Sequence, residues 1–154
     1  MIQDLHTHTY YSYCGKDAPD KVIKTAIENG IEFLGISDHC HGAMVNLHII
    51  TYNDEVRQGY VNQLALNRYY DHIKSVAYKY RDYITVWCGV EVATVEHGFG
   101  TVPNKNIDLS FFDYCFIENL DHPKSTVEDM FAFAKRTGCK ICGIPHTDTK
   151  SMNM

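Results

Sequence analysis

Five short strand-like runs each end in a histidine or a carboxylate, and this repetition constrains the fold more than any other feature of the 154 residues. The first run leads into DLHTHT at residues 4–9, the second into SDHCH at 37–41, the third into GVEV at 89–92 and the fifth into GIPHTD at 143–148. His122 follows the fourth. In an extended strand residues i and i+2 point to the same face, so His6 and His8 can close on one metal ion.

Helical periodicity fills the gaps between these runs. Residues 19–29 open on Pro19, carry Val22, Ile23, Ala26 and Ile27 on one stripe and stop at Gly30, which predicts a helix between strands over 2–5 and 32–37. That order is a βαβ unit. After a loop-like stretch over 42–53 comes a long helical pattern with Val56, Tyr60, Leu64, Ile73, Val76, Ala77 and Tyr80. Residues 83–92, rich in β-branched side chains, predict a third strand, and a Gly, Pro and Asn cluster over 98–106 precedes a fourth at 111–117. Ser125 and Glu128 read as a capping box for a helix bearing Val127, Met130, Phe131 and Ala134, Gly138 ends it, and 140–144 is a fifth strand.

Strands alternating with helices predict an α/β fold built on a parallel sheet, open or curled into a barrel. In such folds the βα loops converge at the carboxyl ends of the strands. His6 and His8, Asp38 and His39, Glu91, His122 and His146 then all arrive at one end of one sheet.

Histidine nitrogens and carboxylate oxygens suit Zn²⁺, Mn²⁺ or Fe²⁺, and a carboxylate such as Glu91 can bridge two ions. More ligands than one tetrahedral ion needs imply two or three divalent ions. Such a cluster activates a bound water near neutral pH and neutralises phosphate charge. His41, His48, His72 and His97 lack the strand-end placement and read as surface or supporting residues, His72 as a mid-helix residue among solvated charges. Tyr10, Tyr11 and Tyr13 are candidates for a pocket mouth, the other tyrosines for packing.

The chain is long enough for one domain with a real core, and 45% apolar with 21% charged residues is the composition of a folded soluble protein. A net charge of −5 argues against an extended nucleic-acid surface, which would show a basic stripe. No run approaches the ~20 apolar residues of a membrane span, and Asp4 and His6 interrupt any leader-like start, so a cytoplasmic location without membrane partners is expected. The scatter of Cys14, Cys40, Cys88, Cys115, Cys139 and Cys142 fits reduced thiols. Cys139 and Cys142 form a C-x-x-C, but the pair follows a helix stop and enters a strand, where it reads as structural.

DLHTHT, SDH some thirty residues on, a strand ending in Glu91, then His122 and the PH at His146 together resemble the polymerase and histidinol phosphatase superfamily, the PHP domain. The resemblance covers nearly the whole chain. It implies a distorted (β/α)7 barrel with a trinuclear metal site at the carboxyl ends of the strands and phosphoester hydrolysis. Carried over, it gives His6 and His8 to a first metal, has Glu91 bridge to a second completed by His122 and His146, and assigns His39 to a third. Cys14 stands where the family often has a third histidine, and a thiolate can ligate zinc or iron.

The family's late Asp-x-His motif and last strands have no counterpart before Met154. The resemblance therefore implies a fragment or a shortened barrel of about five β/α units, with remaining ligands from water, a partner chain or a C-terminal group. An open sheet edge could be covered by a second copy of the chain.

The expected function is hydrolysis of a small phosphomonoester by a metal-bridging hydroxide, with Glu91 bridging and His39 or Asp38 assisting the leaving alkoxide. The alternative is a non-catalytic or regulatory metal-binding module derived from the same fold, for which bound metal is folding energy. A proofreading nuclease is disfavoured by the acidic charge. The substrate stays unnamed, because Arg57, Arg68, Arg81 and Arg136 all fall in or beside predicted helices rather than in a phosphate clamp.

Overall fold

The computed structural model describes residues 1–12, 14–39, 63–93, 107–118 and 126–143, with the side chains of Ala93, Glu118, Ile141 and Cys142 also set aside. Five strands form one parallel sheet: β1 (Gln3–Thr7), β2 (Phe33–Ile36), β3 (Thr85–Ala93), β4 (Tyr114–Glu118) and β5 (Ile141–Gly143). Their spatial order is their chain order. Crossovers between parallel strands are right-handed, so a sheet wound in chain order carries its connections on one face and turns the other inward. This is the barrel arrangement rather than the doubly wound one, whose strand order reverses. The chain is thus a partial (β/α) barrel, as its alternating elements predict.

The helices are α1 (Pro19–Glu28), α2 (Gln63–Lys79) and α3 (Val127–Thr137). Pro19 begins α1, where a missing N–H costs nothing, and Gly30 follows with φ +74°, a backbone that favours glycine. The cap of α3 lies one residue beyond the predicted box. Thr126, not Ser125, is the N-cap, its Oγ1 accepting from the Asp129 N–H at 3.0 Å and donating to the Asp129 carboxylate at 2.8 Å. None of the described helices is long and apolar enough to cross a membrane.

Period-two alternation on β3 separates two environments. Val86, Cys88, Val90 and Val92 are buried with Ile23 and Ala26 of α1 and Leu66, Tyr69, Ile73 and Val76 of α2. Thr85, Trp87, Gly89 and Glu91 face the other way. There the Tyr114 ring lies across Gly89 and Gly35, where a Cβ on either glycine would overlap it, and its hydroxyl donates to Leu5 O at 2.6 Å. One side chain of β4 thereby reaches over β3 and β2 to tie β1. Cys88 and Cys115 are buried and lie within the sheet.

The fourth strand begins at Tyr114 rather than at Phe111. Residues 109–112 form a turn closed by Phe112 N–H to Leu109 O, with Phe112 fully buried. Tyr11 is also core: it is 0% exposed, packs edge-on against Tyr69 and bonds to His72 Nδ1 at 2.8 Å. That removes Tyr11 from a pocket mouth and takes His72 out of the solvated charges, because the pair fills the space between the loop after β1 and α2.

Candidate metal centre

β1 runs through Thr7, so His6 is inside the strand and His8 just past its end, on the same side as the i, i+2 rule requires. His39 follows β2 and pairs with Glu91 of β3 as an isolated parallel bridge, and the Glu91 N–H donates to Asp38 O at 2.9 Å. Adjacent strands thus deliver three imidazoles and one carboxylate to one place.

Glu91, 4% exposed, is the hub. Its Oε2 lies 3.2 Å from His6 Nε2, 2.9 Å from His8 Nε2 and 3.5 Å from His39 Nδ1. The His6 and His8 rings stand 5.0 Å apart and those of His8 and His39 4.7 Å. His8 Nε2 is buried and makes no aligned hydrogen bond, although it faces Oε2 closely. A buried nitrogen aimed at a shared point without a directed hydrogen bond fits a metal ligand. Two nitrogens on one tetrahedral ion at bond lengths of 2.0–2.1 Å sit roughly 3.4 Å apart, so the observed spacings need little change to admit one.

Two trios meet this requirement among the described residues, each offering one ligand atom per residue with all three atoms within 4.8 Å: His6, His8 and Glu91, and His8, Cys14 and His39. Cys14 Sγ is 2.9 Å from His8 Nδ1. His122 and His146 lie outside the described residues, as do His41, His48, His97 and Tyr13.

Asp38 sits differently from its neighbour. It is 0% exposed, and both its oxygens are turned into the loop after β1. Oδ1 accepts from Thr9 N–H and Ser12 Oγ, and Oδ2 from Thr9 Oγ1, all at 2.7 Å. Ser12 Oγ in turn accepts the His39 N–H at 3.0 Å. The Asp38 N–H donates to Tyr69 Oη at 3.2 Å, and Tyr69 donates to Gly89 O at 3.1 Å. The sequence offered Asp38 as a partner for a leaving group, but a carboxylate so enclosed holds the loop to the second strand. Thr9, Ser12 and Tyr69 escaped the sequence reading. The available signal was a pair of hydroxyl residues set among the tyrosines of THTYYSY, polar groups that must find a buried partner once those rings pack inward.

Electrostatics follow this layout. The Glu91 carboxylate raises the pKa of His6 above its ordinary value against the pull of burial. Burial pushes the Asp38 carboxyl up, against the opposing effect of its Ser12 and Thr9 donors.

No curated protein sequence matches the chain significantly. Among solved structures it is similar to the histidinol phosphate phosphatase of Lactococcus lactis, complexed with zinc, L-histidinol and phosphate, at 19% identity and a TM-score of 0.46 over 76% of this chain and 39% of that one. It is also similar to the putative histidinol phosphatase of Listeria monocytogenes, at 18% identity and a TM-score of 0.48 over 82% of this chain and 51% of that one. The chain therefore spans about half or less of either structure's length. The family model for the PHP domain matches residues 4–115, well over half of the chain and the whole stretch from the opening histidines past Glu91, and the chain belongs to the PHP domain family.

Proposed function

We propose that this chain carries a metal-dependent phosphoesterase centre that hydrolyses a small phosphomonoester, with two to three divalent ions held by His6, His8, Cys14, His39, Glu91, His122 and His146. The observation that carries the reading is the convergence of three imidazole nitrogens on the one oxygen Glu91 Oε2 at 2.9–3.5 Å. Divalent ions held there supply an activated water and offset the charge of the phosphoryl oxygens.

The chain's own residues do the rest. Glu91, fixed on β3, gives the ligands a common anionic centre, and its burial keeps that charge unscreened. His6 and His8 present their Nε2 atoms from one strand face, so the spacing between them is set by the backbone. Asp38 is a positioning residue: through Ser12 it fixes the His39 backbone, and through Thr9 it fixes the segment just after His8. Of the two candidates for proton delivery to the leaving alkoxide, Asp38 is disfavoured because its oxygens face the loop, and His39 can serve only while its Nδ1 carries a proton in place of an ion.

The test is hydrolysis of an aryl phosphate with added Zn²⁺ or Mn²⁺. His8→Ala and Glu91→Ala should each lower the rate by at least about a hundredfold, since even residues that only support a ligand cost 10–100-fold when removed. Unchanged rates in both variants would sink the proposal. Ions bound tightly without any turnover would favour the metal-binding module instead.

A further inference from the structure

We propose that Cys14, together with His8 and His39, makes this centre sulfur-bearing and selective for a thiophilic ion such as Zn²⁺ over Mn²⁺. The inference rests on the reading that the histidine cluster holds divalent ions, and adds which ion the chain chooses.

The two ligand trios share His8 but differ in chemistry. His6, His8 and Glu91 offer two nitrogens and an oxygen, a set that Zn²⁺, Mn²⁺ and Fe²⁺ all accept. His8, Cys14 and His39 offer two nitrogens and a sulfur, and thiolate favours zinc over manganese, which prefers carboxylate and water. Cys14 approaches His8 at Nδ1, while Glu91 approaches at Nε2, so sulfur and carboxylate flank one imidazole from different edges. A neutral imidazole has one lone pair to give, so His8 ligates one ion only, through Nδ1 beside Cys14 or through Nε2 beside Glu91.

The loop is built to present that sulfur. Ser12 N–H donates to Thr9 O at 3.0 Å and Gly15 N–H to Ser12 O at 3.1 Å, two successive turns that fold Cys14 back toward His8. A Cβ at residue 15 would overlap the Thr9 backbone, so Gly15 is what allows the turn to close this tightly. Thr9 and Ser12 are themselves held by Asp38. The base of the loop is fixed, and Cys14 lies exposed at its tip. Around zinc, a sulfur at ~2.3 Å and a nitrogen at ~2.0 Å stand roughly 3.5 Å apart, so seating the ion moves Sγ outward from its 2.9 Å contact by about half an ångström.

Titration of the 154-residue chain with Co²⁺ tests this directly. The wild type should show a near-ultraviolet sulfur-to-cobalt charge-transfer band, and Cys14→Ser should lose it while keeping the visible d–d bands. Competition with a chromophoric chelator should show Zn²⁺ affinity falling at least roughly tenfold in Cys14→Ser, the lower bound for losing a residue that supports a ligand, with Mn²⁺ affinity unchanged. Cys14→His should keep ion binding, lack the band and narrow the preference for Zn²⁺ over Mn²⁺. Cobalt d–d bands without a sulfur band in the wild type would overturn the role of Cys14 and leave the phosphoesterase reading intact. Absence of any ion binding in the wild type would overturn both.

Discussion

Asp38 accepts three hydrogen bonds while fully buried, so an asparagine there presents a donor to groups that are themselves donors. At least one of the three hydrogen bonds must then be lost or reversed, at a cost of about 1–3 kcal/mol. Asp38→Asn should lower the unfolding free energy of the ion-free chain by that amount in urea denaturation and weaken Zn²⁺ binding, because the loop and His39 lose their common anchor. Unchanged stability would mean that the carboxylate is not the loop's anchor. His6 gives the site its pH dependence. Its pKa lies above the ordinary 6.5 because of Glu91, so the protonated ring adds stability to the ion-free fold below the ordinary value and loses it as pH rises through the raised one. A ligand must be neutral, so proton competition with metal extends to higher pH than for an ordinary histidine. Apparent metal affinity should therefore rise with pH through the raised value, and calorimetry in two buffers of different ionisation enthalpy should detect proton release that His6→Ala diminishes.

Among the elements, Tyr114 gives the sheet a tie that pairwise strand hydrogen bonds do not supply. Its ring needs the bare backbone of Gly35 and Gly89, and its hydroxyl reaches Leu5 O. Tyr114→Phe should cost about 1 kcal/mol, the worth of one hydrogen bond. Gly89→Ala should cost about 1–3 kcal/mol through overpacking, and in the double variant Gly89→Ala/Tyr114→Ala the penalty should fall short of the sum of the two single ones, as contacting residues do. Additive losses in chemical denaturation would show that ring and glycine do not meet. Elements were legible in the sequence where a local signal makes them: Pro19 and Gly30 bound α1 closely, and the β-branched run over 83–92 marks β3. They blurred where two local signals compete. Ser125 and Thr126 both suit an N-cap, and only the reach of Thr126 to Asp129 separates them. Phe111 and Phe112 look like strand residues, yet they turn the chain into the core before β4 begins. Tyr114 across two glycines could not be read at all, since nothing local to any of the three positions says they share a face.

At the scale of the whole molecule, the site residues that the sequence brought together are those whose strand-end placement makes them meet: His6, His8, His39 and Glu91. What it could not assign were side chains whose role depends on which way they turn, Asp38 into the loop and Tyr11 into the core. Because the ligands come from β1, β2 and β3 and are distant in sequence, an ion bound there adds a cross-link to strands already joined by sheet hydrogen bonds and by side chains such as Tyr114. Such an ion stabilises the folded chain by mass action, about 2.7 kcal/mol at a free concentration 100 times its dissociation constant. For a chain of this size that corresponds to an increase of roughly 5–10 °C in the unfolding midpoint. Trp87, the one tryptophan, reports the transition from the inward face of β3, where it is 39% exposed and stands edge-on to Phe33 of β2. Zn²⁺ should raise the midpoint seen by Trp87 fluorescence and by far-ultraviolet circular dichroism together, a chelator should reverse it, and His8→Ala or Glu91→Ala should abolish the effect. Coincident shifts follow only if the ion holds the three strands as one cooperative unit, so a shift in fluorescence with the dichroism midpoint unmoved would place the ion on a local segment instead.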